Sequence, residues 1–108
     1  MNINLWKAVN GPGVSVNLNE FEPSGGYESF LQDICPVLKA IFLDWHQGIE
    51  SGIGHISYQG KEIEVFWTDF PFALSFDCLG ESMAQQLKKE LEDYFRLHEE
   101  RCSAWKNY

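Results

Sequence analysis

Residues 53–78 read IGHISYQGKEIEVFWTDFPFALSFDC, and this stretch decides the fold. Apolar and polar residues alternate along it with a period of two, which is typical of strands that bury one face. The alternation is interrupted at Gln59-Gly60 and again at Thr68-Asp69-Phe70-Pro71, both of which are turn-forming sequences. We therefore predict an antiparallel meander of three strands, at 53–58, 61–67 and 72–78.

The first hairpin loop fixes the register of its two strands. With Gln59 and Gly60 as a two-residue loop, counting back places His55 opposite Glu64. Across the second turn we expect Trp67 opposite Phe72. One face of the meander is then wholly apolar, which supports this register, because a slip of one residue would expose it. Its members are Ile56, Ile63, Val65, Trp67, Phe72, Leu74 and Phe76.

The other face of the meander collects polar and acidic side chains. They are His55, Ser57, Glu62, Glu64, Ser75 and Asp77, with Phe66 and Ala73 among them. The expected register makes Glu62 a neighbour of Asp77 and groups His55 with Glu64 and Ser75. Like charges placed side by side destabilise a sheet modestly.

Three interpretations of this polar face are open from the sequence. The first is an ordinary solvated face, which antiparallel sheets commonly have. The second is a docking surface for a basic protein, to which the aromatic turn around Asp69 and Phe70 adds an apolar patch if its rings do not fill the core. The third is a catalytic or metal site on His55 and Glu64. It has the least support, because a flat strand face offers no oxyanion hole and no metal-binding spacing is present.

The flanking segments complete the fold. Strands at 3–9 and 14–19 form an N-terminal hairpin around the turn Asn10-Gly11-Pro12-Gly13. Apolar residues from Tyr27 to Trp45 then recur at helical steps of three and four, interrupted by Pro36. We predict a helix near 25–34 and a second helix or kinked continuation over 36–47, although 38–45 fits a buried strand as well.

The last element is a helix expected over about 82–102, with Ser82 and Gln85 matching a capping box. The predicted order is ββααβββα. It describes one α+β domain over 1–108, in which an antiparallel sheet is covered on one face by helices.

The charge balance limits the possible partners. The net charge is −8, from 16 acidic and 8 basic residues. Such a field repels nucleic acid and anionic membrane surfaces and attracts a basic protein. Charge of this kind also serves solubility alone.

Cysteine usage indicates a reducing compartment. Cys35, Cys78 and Cys102 are odd in number and widely spaced, so we expect free thiols and neither a disulfide framework nor a cysteine zinc site. No signal peptide or membrane-spanning run is recognisable, and we expect a cytoplasmic protein.

No nucleotide signature is present either. The glycine-rich stretch 48–54 runs from a predicted helix to a strand, the reverse of a phosphate loop. His46 is expected at the end of that helix, where a cation suits the helix dipole. We expect no cofactor and no metal.

The sequence therefore favours binding over catalysis. The leading hypothesis is a small acidic protein-binding module, in its most concrete form an inhibitor or immunity-type protein that neutralises a basic partner such as a nuclease. The alternatives are a housekeeping or regulatory subunit and, with less support, a small enzyme using the His55 and Glu64 face. The candidate partner-binding residues are His55, Glu62, Glu64, Asp77, Asp69 and Phe70.

Overall fold

The fold is a single antiparallel sheet with two helices. The computed structural model describes residues 3–7, 13–69 and 72–98. Its elements are β1 (Ile3–Lys7), β2 (Val14–Asn19), α1 (Tyr27–Val37), β3 (Ile41–Gln47), β4 (Ser51–Tyr58), β5 (Lys61–Asp69), β6 (Phe72–Cys78) and α2 (Glu81–Leu97). The six strands have the order β1-β2-β6-β5-β4-β3. The predicted α+β class, the N-terminal hairpin and the central meander are confirmed.

Some predicted features lie outside the described residues. These are the turn at 10–12, Phe70 and Pro71 of the aromatic turn, the part of the last helix beyond 98, and Cys102.

The predicted second helix over 36–47 is wrong. α1 ends at Val37, one residue after Pro36, and the chain then reverses through Lys39, whose φ is 55°. The Ala40 amide donates to the carbonyl of Cys35 at 2.8 Å and closes this reversal. The apolar residues that follow form β3, an edge strand paired with β4. Of the two interpretations of 38–45, the strand is the right one.

The beginning of β4 explains why β3 is a strand. A Cβ atom on Gly52 would lie 2.5 Å from Cζ2 of Trp45, and one on Gly54 would lie 2.7 Å from Cε3 of the same ring. Glycine in a strand marks a place where another group approaches the backbone closely. The stretch predicted as a glycine-rich loop is therefore partly strand, and it holds the buried Trp45 ring.

The core lies between the helices and one face of the sheet. α1 packs beside β3, and α2 packs over β1, β2 and β6. Phe21, Phe30 and Phe95 form an aromatic cluster, with ring centroids 4.8 to 5.9 Å apart. The predicted apolar face of the meander is buried here, in the side chains of Ile56, Ile63, Val65, Trp67, Leu74 and Phe76.

The register of the meander is right at the first hairpin and shifted at the second. His55 pairs with Glu64 as expected, and Gln59 and Gly60 both have positive φ, as this type of hairpin loop requires. Across the second turn Asp69, rather than Trp67, pairs with Phe72. β5 continues two residues beyond its predicted end at Trp67, whereas β6 has the predicted bounds. Because the shift is two residues, every side chain keeps its face.

α2 begins one residue earlier than predicted, and the capping box is wrong. Its N-cap is Gly80, and no side chain caps the exposed amides. Ser82 lies inside the first turn, where it cannot act as the cap, and Gln85 instead donates to Glu81 at 3.3 Å. No described helix has the length and apolar content needed to cross a membrane.

Candidate protein-binding face

The sheet face opposite the helices carries a line of acidic side chains. The strand registers align Trp6, Ser15, Asp77, Glu64, His55 and Asp44 in one row across all six strands. We call this side of the sheet the outer face, and Asp44, His55, Glu64 and Asp77 the acidic row. Neighbouring strands lie about 4.8 Å apart, so the acidic row is about 15 Å long.

A second row of outer-face residues runs parallel to the first and lies two residues away from it on every strand. It consists of Asn4, Asn17, Ser75, Phe66, Ile53 and His46. Ile53 and Phe66, which we call the apolar pair, are 36% and 37% exposed. Two residues of a strand span about 7 Å, so the apolar pair lies beside the acidic row at that distance.

His55 lies between carboxylates. Its Nδ1 is 2.9 Å from Oδ1 of Asp44, and Glu64 is its partner on the other side. The hydrogen bond to Asp44 raises the pKa of His55 above its ordinary value of 6.5, and the charges of Asp44, Glu62 and Glu64 add to this effect. The carboxylates around the imidazole therefore favour its protonated form.

The outer face lacks counter-charges. Among the described residues no lysine or arginine occupies an outer-face position in the strand registers. Lys88 and Arg96 lie on α2 and pair with acids of that helix, while Lys7 reaches Glu81 at 3.9 Å. In the described outer face, Glu62, Glu64 and Asp77 therefore have no lysine or arginine beside them in the strand registers.

The structure brings together most of the predicted partner-binding residues. His55, Glu64 and Asp77 share the acidic row, and Glu62 is exposed in the adjacent row opposite Ser57. The expected pairing of Glu62 with Asp77 is wrong, because the shifted register places Glu64 opposite Asp77 instead.

Asp69 is separate from these acids. It is the last residue of β5, five positions from Glu64, which corresponds to about 17 Å of extended chain. Its amide donates to the carbonyl of Glu50 at 2.9 Å, so its backbone connects the end of β5 to the residue that precedes β4. Phe70, the other candidate in this turn, lies outside the described residues.

Two features of the face escaped sequence reasoning. The sequence prediction omits Asp44 because it assigns this segment to a helix. For the same reason it expects His46 at the end of a helix, whereas His46 is an exposed residue of β3. Asn17 was also missed. It is buried on the outer face and accepts hydrogen bonds from the hydroxyls of Ser15, at 3.3 Å, and of Ser75. The sequence feature that indicates β3 is the pair Gly52 and Gly54, because glycine at these positions of β4 leaves room for the Trp45 ring.

The structure separates Ser75 from His55 and Glu64. Ser75 lies in the second row opposite Phe66, and its hydroxyl donates to Asn17. The expected grouping of Ser75 with His55 and Glu64 is therefore wrong. Within the described part of the chain, no group of three histidine, cysteine or acidic side chains is arranged to hold a metal ion.

Comparison with known proteins identifies no relative: no protein-family model, curated protein or solved structure matches this chain.

Proposed function

We propose that this chain is a small acidic protein-binding module whose outer face binds a basic protein. In its most concrete form it is an inhibitor or immunity-type protein that neutralises a basic partner such as a nuclease. The observation that carries the proposal is the acidic row, which lies on an open sheet face without a lysine or arginine among the described residues of that face.

Charge supports this proposal in two ways. A surface of one sign, on a chain with a net charge of −8, accelerates the encounter with a partner of opposite sign. In the free domain, Glu64 and Asp77 face each other directly, which is unfavourable for two like charges. Lysine or arginine side chains of a partner relieve that repulsion on binding.

The thiols support a cytoplasmic location as part of the same proposal. Cys35 and Cys78 are both buried and unpaired. Free cysteines are the usual state in a reducing compartment.

Affinity capture from the native host tests the proposal. The baits are the wild-type chain, the outer-face variant Glu64→Lys/Asp77→Lys, and a control variant Glu28→Lys/Glu92→Lys, whose substitutions are exposed on the helices. Both variants change the net charge equally. We expect the wild type and the control to retain the same basic protein and the outer-face variant to lose it.

Equal capture by all three baits, or capture of acidic proteins alone, contradicts the proposal. For the immunity-type form, the captured partner is then expressed in a test host. Its toxicity is expected to be relieved by the wild-type chain and not by the outer-face variant.

A further inference from the structure

We infer that the outer face receives a basic amphipathic α-helix of its partner, lying across the strands with an apolar flank on Ile53 and Phe66. This inference rests on the proposed function and specifies which kind of segment the face binds. It is carried by the apolar pair and its position beside the acidic row, and it commits to a single occupant.

The apolar pair is a feature that a purely solvated face does not need. Phe66 and Ile53 lie next to each other on β5 and β4, each more than one-third exposed. The core on the opposite face of the sheet is already filled by Val65, Trp67 and Leu74. Large apolar side chains grouped on an open surface and bordered by charges are typical of interaction sites.

The spacing of the carboxylates along the acidic row matches a helix. Asp44 and Glu64 lie two strands apart, about 10 Å, and Glu64 and Asp77 lie one strand apart, about 5 Å. A helix rises 1.5 Å per residue, so basic residues at positions i, i+7 and i+11 reach these three acids from one side. About 12 residues of helix, from i to i+11, cover the whole row.

The width of the two rows also favours a helix over an extended chain. A helix with its side chains is about 10 Å wide, so adjacent basic and apolar stripes cover two rows that lie about 7 Å apart. An extended segment points alternate residues to opposite sides and follows only one line of contacts. A second copy of this chain is disfavoured, because it would bring two acidic rows together.

Two synthetic peptides test the inference with the full chain. Both have about 18 residues and the same composition of lysine, leucine and alanine. In one peptide lysine occupies i, i+7 and i+11 with leucine on the adjoining stripe, and in the other the order is rearranged so that no helical face forms. Binding is measured by fluorescence anisotropy, and helix formation by circular dichroism.

The ordered peptide is expected to bind about tenfold more tightly than the rearranged one and to gain helicity on binding. Phe66→Ser is expected to remove most of that difference, while Leu97→Ser, at an exposed leucine on α2, leaves it unchanged. Glu64→Lys/Asp77→Lys is expected to weaken the binding of both peptides, because each depends on the acidic row.

Three results would overturn the inference. If both peptides bind equally and Phe66→Ser has no effect, the inference that the partner binds as a helix is wrong, while the proposed binding of a basic protein is not contradicted. If neither peptide binds, the inference of a helical partner segment is again wrong, and the capture experiment then decides the proposed function. If Glu64→Lys/Asp77→Lys binds the ordered peptide as the wild type does, the outer face is not the binding site, and the proposed function fails with it.

Discussion

At the scale of single residues, substitutions of Phe76 and Phe66 distinguish the buried face of the sheet from the outer face. They lie on adjacent strands, with Phe76 fully buried among the helices and Phe66 on the outer face. Phe76→Ala is expected to lower the free energy of unfolding by about 3–5 kcal/mol, because it leaves a cavity in the core. Phe66→Ala is expected to cost about 1 kcal/mol or less.

Urea unfolding monitored by circular dichroism measures both values. A loss well below 1 kcal/mol for Phe76→Ala, or an equal loss for the two variants, would mean that the faces are assigned incorrectly.

His55 predicts a pH dependence of stability. Its pKa in the folded state is raised above 6.5 by Asp44, so the protonated ring stabilises the fold. This contribution is fully present below pH 6.5, the unfolded value, and is lost as the pH rises through the higher folded value. Asp44→Asn is expected to lower the pKa of His55 and to reduce the melting temperature more at about pH 5.5 than at about pH 8.5.

An NMR titration of the His55 ring, in the wild type and in Asp44→Asn, gives the pKa directly. A pKa of His55 that does not fall in Asp44→Asn would show that the hydrogen bond contributes nothing in solution.

The cysteines are expected to react only after unfolding. Burial raises the pKa of Cys35 to about 11 and that of Cys78 to about 12, where the charge of Asp77 adds to the effect. The thiolate is the reactive form, so both thiols should resist a thiol reagent in the native state. After denaturation without reductant, all 3 cysteines should react, and a lower number would indicate a disulfide.

At the scale of elements, the contact between β3 and β4 depends on Gly54. A Cβ atom there would lie 2.3 Å from the carbonyl oxygen of Asp44, which is a backbone atom. Gly54→Ser is therefore expected to cost about 1–3 kcal/mol. The same substitution at Gly80, where nothing lies within 4 Å, is expected to be neutral or slightly stabilising, because serine is a good N-cap.

Thermal unfolding of the two glycine variants provides the comparison. Equal melting temperatures for Gly54→Ser and the wild type would contradict the close packing of Trp45 on β4.

Local patterns predicted the elements unequally. The alternation in 53–78 has one dominant solution, because any one-residue slip exposes the apolar face. The strands of the meander, their faces and the register of the first hairpin are therefore predicted correctly. The segment 38–45 has no such constraint, since its apolar residues satisfy a helical stripe and a strand equally well. What decides between them is the contact of Trp45 with Gly52 and Gly54, which forms only in the folded sheet. The register at the second turn is not predictable from the alternation, because a shift by two residues leaves every side chain on the same face.

At the scale of the whole molecule, the described lysines and arginine lie away from the outer face. Lys88 and Arg96 of α2 pair with acids of the same helix. Among the described residues of the outer face, the basic side chains are the histidines His55, within the acidic row, and His46, in the second row. Sequence reasoning placed His55, Glu62, Glu64 and Asp77 on this face correctly, because face assignment needs only parity. It missed Asp44 and the pairing of Glu64 with Asp77, because those require the position of an edge strand and the true turn.

The association rate with the captured partner tests the central claim most directly. It is measured at two ionic strengths for the wild type, Glu64→Lys/Asp77→Lys and Glu28→Lys/Glu92→Lys. The outer-face variant is expected to bind more slowly than the control, most clearly at low salt where screening is weakest, with an unchanged or slightly raised melting temperature. Equal association rates for the two variants at both ionic strengths would contradict binding through the acidic row.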